Sequence, residues 1–94
     1  MAKQVFRIEY TSQVWQEDDQ YIAHAMPLDV MSAGATPEEA RKALDEAVQL
    51  FLATAAEAGT IAEVLQEAGY RRERGRWAGP LWIGVERHSV AVGA

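Results

Sequence analysis

Cysteine is absent from this 94-residue chain, and histidine occurs only twice. The lack of thiols excludes disulfides, zinc sites built on thiolates and a cysteine nucleophile. There is also no run of about 18 apolar residues and no charged-then-apolar leader, so we expect neither a membrane span nor a signal peptide. These absences favour a small cytoplasmic protein without a metal or another cofactor.

The motifs of common hydrolases are missing as well. No serine lies in a glycine-x-serine-x-glycine elbow, and there is no glycine-rich phosphate loop with its lysine. His24 and His88 are far apart in sequence, and neither has a nucleophile beside it. We expect a structural role for His24, with Asp29 near enough to orient it, and we predict no catalytic residue.

Charge is divided unevenly along the chain. Residues 1–69 carry four cationic side chains against twelve carboxylates, a balance of −8, whereas residues 70–94 carry five arginines against two carboxylates, a balance of +3. An acidic body disfavours non-specific binding to nucleic acid and attracts a basic protein partner. The alternative is that the carboxylates simply solvate the surface.

A short turn before an apolar periodic segment marks the start of a helix. Gly34 permits a positive φ, Thr36 suits the N-cap, Pro37 suits the first helical position and Glu39 can close a capping box. Apolar residues then recur with helical spacing, which predicts an amphipathic helix from residue 37 to about residue 57.

A second helix is indicated directly after the first. Gly59 is well placed as a left-handed C-terminal cap, and Thr60 with Glu63 repeats the capping-box pattern. These signals predict a short helix over residues 61–68 that ends at Gly69.

Alternating apolar residues and turn signals predict a sheet around these helices. The predicted strands are Val5–Tyr10 with a continuation toward Trp15, Tyr21–Met26, Val30–Ala33 and a closing strand Arg87–Val92, with a hairpin turn at Gln16–Gln20 and an irregular loop at Arg71–Gly79. Strands covered on one face by a helix form a two-layer α+β sandwich. The length allows a single domain over residues 1–94.

The segment Tyr21–Leu28, followed by Gly34–Ala40, resembles the HicB-like antitoxin family. The usual pattern of that family is a tyrosine-valine-alanine strand, a proline-bearing loop and then glycine-aspartate-threonine-x-glutamate-glutamate-alanine. The resemblance covers residues 5–70, although many members have a leucine-proline-glycine-cysteine loop where this chain has Leu28–Met31. It implies a truncated ribonuclease-H-like fold of order β-β-β-α-(short α)-β, with residues 87–92 beside the first strand.

The resemblance also implies a non-enzymatic antitoxin that covers and neutralises a small, basic, messenger-RNA-cleaving ribonuclease of the HicA type. We expect exposed carboxylates at Asp18, Asp19, Asp29 and Glu38 to contact such a partner. A ribonuclease H site needs several carboxylates around two metal ions, and the first strand offers only Glu9. Many HicB proteins add a C-terminal DNA-binding module, whereas the strand-like end of this chain predicts no DNA binding by the protein alone.

An arginine-rich segment with tryptophans follows the second helix, and its members are Arg72, Arg74, Arg76, Trp77 and Trp82. The arginines can pair with the acidic body of the chain or with a second subunit while the tryptophans bury at an interface, which predicts a homodimer or tetramer, and contact with a partner protein is a further alternative. They can also stack on unpaired RNA bases and neutralise phosphates. Two alternatives to the antitoxin therefore stay open: a structural or regulatory homo-oligomer without a toxin, and a residual RNA-binding domain.

Overall fold

The computed structural model describes residues 7–93 as an α+β domain. Its strands are β1 (Arg7–Ile8), β2 (Thr11–Glu17), β3 (Gln20–Met26), β4 (Val30–Gly34), β5 (Arg71–Glu73) and β6 (Arg76–Ala78), and its helices are α1 (Pro37–Glu57) and α2 (Ile61–Ala68). The strands form two three-stranded sheets, of order β2-β3-β4 and β1-β6-β5. Within this part of the chain, no helix is long and apolar enough to cross a bilayer.

The sheet β2-β3-β4 is an antiparallel meander, which we call the meander sheet. Glu17 lies opposite Gln20, so the turn between β2 and β3 has only two residues. Asp18, the first of them, has φ 52°, a conformation that aspartate tolerates better than most residues. The second and third predicted strands are confirmed, and the predicted five-residue turn is tighter than expected.

The first predicted strand divides into two pieces at Glu9–Tyr10, which we call the β1–β2 junction. Before it, β1 pairs in parallel with β6 in the second sheet; after it, β2 pairs with β3 in the meander sheet. Residues 5 and 6 of the predicted strand lie outside the described residues. A single stretch of chain therefore contributes to both sheets.

The predicted closing strand Arg87–Val92 is wrong, because residues 79–93 have no regular secondary structure. The strand beside β1 is β6, which lies in the segment predicted to be an irregular loop. Arg74 and Gly75 have φ values of 39° and 81°, and this pair of positive values is typical of a type I′ hairpin turn. Strands β5 and β6 are thus the two arms of a hairpin.

The predicted start of α1 is confirmed in detail. The backbone N–H of Glu39 donates to Thr36 Oγ1 over 3.1 Å, and Glu39 Oε2 accepts from the backbone N–H of Ala35 over 3.1 Å. These two bonds satisfy donors that would otherwise be left unpaired at the helix start.

The bounds of α2 are also as predicted, although its predicted capping box does not form. Thr60 makes no side-chain cap for α2, and its hydroxyl donates instead to the carbonyl of Ala55 in α1. Gly59 and Gly69, which follow the two helices, have φ values of 75° and 104°. Both glycines occupy the left-handed region predicted for helix ends.

Helix α1 packs on one face of the meander sheet, and much of the hydrophobic core lies between them, with α2 and β6 adding to it. The core consists of Ala23, Ala25, Leu28, Ala40, Leu44, Val48, Leu65, Tyr70 and Trp77. Ala23 and Ala25 of β3 and Ala40 of α1 are fully buried. Their small side chains allow the helix axis to lie close to the sheet.

Gly34 is needed for a reason other than the predicted one. Its φ is not positive, but a Cβ atom at this position would lie 2.5 Å from the backbone nitrogen of Ala40 and 2.8 Å from the carbonyl carbon of Glu39. The end of β4 and the first turn of α1 are therefore in direct backbone contact.

We expect Gly34→Ala to lower the free energy of unfolding by about 1 to 3 kcal/mol, because the added methyl group overpacks this contact. The matched control is Gly84→Ala, since no atom lies within 4 Å of a Cβ at that position. Urea unfolding followed by circular dichroism measures both. Equal unfolding midpoints for the two variants would contradict the assignment.

Candidate functional site

Three of the four carboxylates predicted to contact a partner lie at the same end of the meander sheet. Asp18 and Asp19 form the turn between β2 and β3. The end of β4 pairs with the start of β3 and leads directly into α1, so Glu38 lies at this end as well. We call Asp18, Asp19 and Glu38 the acidic end; all three are exposed.

The fourth predicted contact residue, Asp29, is placed apart from the others. It lies in the turn between β3 and β4, at the opposite end of β3, about 20 Å away along the strand. It forms a 2.6 Å contact between its Oδ1 and His24 Nε2. Asp29 is exposed, as predicted, but it belongs to a different surface from the acidic end.

His24 is held by polar groups at both ring nitrogens. Gln13 Nε2 lies 3.0 Å from Nδ1, and Asp29 accepts at Nε2. The Trp15 ring makes an edge contact with the imidazole, with centroids 6.2 Å apart. An amide donor at Nδ1 places the ring proton on Nε2, which donates to the carboxylate. The predicted orientation by Asp29 is present, and the contacts of His24 are those of a positioned structural side chain.

A polar groove of about 380 Å³ lies between the β1–β2 junction and the β5–β6 hairpin. Two carboxylates line it, and each contacts a guanidinium: Glu9 lies 3.2 Å from Arg76, and Glu73 lies 3.5 Å from Arg71. Sequence reasoning missed Glu73 because its segment was interpreted as a loop. Among residues 7–93, no three histidine or acidic side chains are grouped closely enough to hold a metal ion.

The predicted arginine and tryptophan set is divided by the fold. Trp77 is only 3% exposed and belongs to the core, so it does not form part of a contact surface. The Arg72 guanidinium lies 5.8 Å from the centre of the Trp77 ring. Arg74 lies at the tip of the hairpin, and Trp82 is 45% exposed beside the groove. Burial keeps Trp77 from stacking on RNA bases, and the Arg76 guanidinium is paired with Glu9.

Two tyrosines tie the β1–β2 junction to the rest of the domain. The Tyr70 hydroxyl donates to the carbonyl of Glu9, and the Tyr10 hydroxyl donates to Asp45 of α1 over 2.9 Å. Burial, followed by the nearby Glu9 carboxylate, raises the pKa of Tyr70 to about 12. Burial, followed by the hydrogen bond to Asp45, raises the pKa of Tyr10 to about 12.

We expect the domain to lose stability in alkali because these two hydroxyls must stay protonated. Their folded pKa values lie above the unfolded value of 10.0, so the stabilisation is complete below pH 10 and is lost as the pH rises toward 12. Urea unfolding at several pH values in this range measures the loss. In Tyr10→Phe and Tyr70→Phe the dependence on pH should be shallower, and an unchanged slope in both would contradict the assignment.

Comparison with protein-family models, with curated proteins and with solved structures found no match for this chain. The case for a function therefore depends on the surfaces described above. These are the acidic end, the polar groove beside the β5–β6 hairpin, and His24 with its contacts Gln13, Trp15 and Asp29.

Proposed function

We propose that this chain is a non-enzymatic binding module, a HicB-like antitoxin or an orphan relative of one, that neutralises a small basic ribonuclease of the HicA type. The observation that carries the proposal is the position of the charge. No charged side chain within the described residues is buried, and three carboxylates are grouped at the acidic end. The carboxylates thus lie on the surface of the domain, where they attract a basic partner.

The order of the elements supports a truncated ribonuclease-H-like scaffold as part of this proposal. An antiparallel meander precedes a long helix, and a later strand, β6, returns to lie parallel to β1. The scaffold hypothesis accounts for β6 as the last strand of the order β-β-β-α-β. Because a fold does not determine a function, the binding proposal depends on the surface and not on the scaffold.

The negative charge of the acidic end is suited to binding a ribonuclease. Within the described residues, Asp18, Asp19 and Glu38 take part in no ion pair, so their charge is available to a partner. A ribonuclease binds the phosphates of RNA with cationic side chains. Carboxylates placed against these cations would exclude RNA both by charge and by volume, and no catalytic step by the antitoxin is required.

The test begins with co-expression of this chain and the small basic protein encoded in a neighbouring reading frame. We expect the two to co-purify and the toxicity of the partner to be lost. Replacing the acidic end by Asp18→Asn, Asp19→Asn and Glu38→Gln should raise the dissociation constant about 10- to 100-fold at moderate salt, mainly through slower association. Surface plasmon resonance at several salt concentrations measures both rates.

The matched control removes the same charge elsewhere, by Glu57→Gln, Glu63→Gln and Glu67→Gln at the end of α1 and in α2. We expect this variant to bind nearly as well as the unaltered chain. The antitoxin proposal fails if no neighbouring basic protein is captured. The choice of surface fails if both triple variants lose the same affinity.

A homo-oligomer without a toxin is the second candidate function. It is favoured by a run of exposed apolar side chains in residues 81–92, which is unusual for a monomeric protein. The two candidates are separated by the capture experiment, because a homo-oligomer would assemble normally and retain no neighbouring protein.

A further inference from the structure

Residues 79–93, which we call the tail, leave the body of the domain as an extended segment. The molecule measures 60 × 29 × 23 Å, and its radius of gyration is 16.1 Å, whereas a compact chain of this length has about 12 Å. Five aliphatic side chains of the tail are between 82% and 89% exposed, namely Leu81, Ile83, Val85, Val90 and Val92. The tail is therefore an apolar arm that its own domain does not cover.

Trp82 anchors the start of the tail to the body. Its ring lines the polar groove, and it also lines a second groove, of about 340 Å³, beside residues 11–13 and Met26. Leu81 lines the polar groove and Ile83 lines the second groove, but both are far more exposed than Trp82, at 86% and 89% against 45%.

A second uncovered apolar surface lies on the meander sheet. Trp15 pairs with Ile22 and His24 pairs with Met31, so these side chains share the face opposite α1. Met26 belongs to the same face, and Met31 is 59% exposed. We call this surface, Trp15, Ile22, His24, Met26 and Met31, the open face. None of its members belongs to the hydrophobic core.

We propose that two copies of this chain exchange tails, so that the tail of each copy packs across the open face of the other in a two-fold symmetric dimer. The tail of a copy reaches its own open face only at the edge, beside Met26. Residues 83–93 can extend about 36 Å, which exceeds the roughly 10 Å between the outer strands of a three-stranded sheet.

Charge favours a second copy as the partner. The tail carries one carboxylate, Glu86, and one guanidinium, Arg87, so it has no net attraction for an acidic or a basic protein. The open face carries no lysine or arginine, and two carboxylates border it, Asp29 in contact with His24 and Glu17 in contact with Trp15. Two mainly apolar surfaces match the composition of homodimer interfaces, and the two methionines adapt readily to an incoming side chain.

The area also favours reciprocal exchange. Burying the five aliphatic side chains removes roughly 500 Å² of apolar surface from one tail, at about 100 Å² for each side chain. Two tails and two receiving faces then bury roughly 2,000 Å², which exceeds the usual 1,600 Å² of a stable interface. Two-fold symmetry provides this doubling because every contact is made twice.

Size-exclusion chromatography with light scattering tests the exchange on the purified full-length chain, without any toxin, so its outcome is independent of the proposed function. At about 100 µM we expect twice the mass of 10.4 kDa. Ile83→Asp on the tail and Met31→Glu on the open face should each raise the dissociation constant at least tenfold. Both side chains are exposed in the single chain, so the circular dichroism spectrum should be unchanged.

Leu50→Glu is the matched control, because Leu50 is also exposed but lies on α1, away from the tail and the open face. A further measurement mixes Ile83→Asp with Met31→Lys. In the mixed dimer one tail contact is native and the other joins a carboxylate to an amine, so the dimer mass should return.

Three results would overturn the exchange. The first is a single-chain mass for the unaltered protein. The second is an oligomer that Ile83→Asp leaves intact, and the third is an oligomer that dissociates with Leu50→Glu but not with Met31→Glu. An assembly larger than a dimer supports the exchange only if both the tail variant and the open-face variant reduce its mass.

Discussion

The close contact between α1 and one face of the meander sheet determines the rest of the structure. Small residues at the contact, among them Gly34, Ala23, Ala25 and Ala40, bring backbone near to backbone. One helix therefore covers one face of a three-stranded sheet and leaves the other face without a cover. The surfaces proposed to bind partners follow from this one-sided arrangement, because a second layer would have buried them.

The charged side chains of the described residues lie at the surface and at the edges of the domain. Where a carboxylate meets a guanidinium group, as in Glu9 with Arg76, the pair is exposed, and exposed pairs of this kind add little to stability. The core is apolar apart from the hydroxyl of Tyr70 and the indole N–H of Trp77. The stability of the domain thus depends on apolar packing, and the surface charge can serve the recognition of a partner.

The sequence predicted the elements that local rules control. The cap at Thr36 and the period of α1 depend on neighbouring residues, and both are confirmed. The division at Glu9 depends on which distant strand each half pairs with, so no local pattern revealed it. The β5–β6 hairpin was not predicted because its arginines mask the apolar alternation. The alternation around Val90 predicted a strand for which residues 7–93 supply no neighbouring strand. The acidic residues were rightly placed on the surface, but their grouping needed the topology.

The pairing of β1 with β6 has a consequence for the order of events during synthesis. Ile8 lies opposite Trp77, so the two partners are separated by 69 residues of chain. The meander sheet and α1 are complete by residue 57, whereas β1 has no partner until the end of the hairpin has emerged from the ribosome. Closing so long a loop is slow compared with forming local contacts. In a nascent chain, the meander sheet and α1 would therefore form first, and β1 would stay unpaired until β6 had emerged.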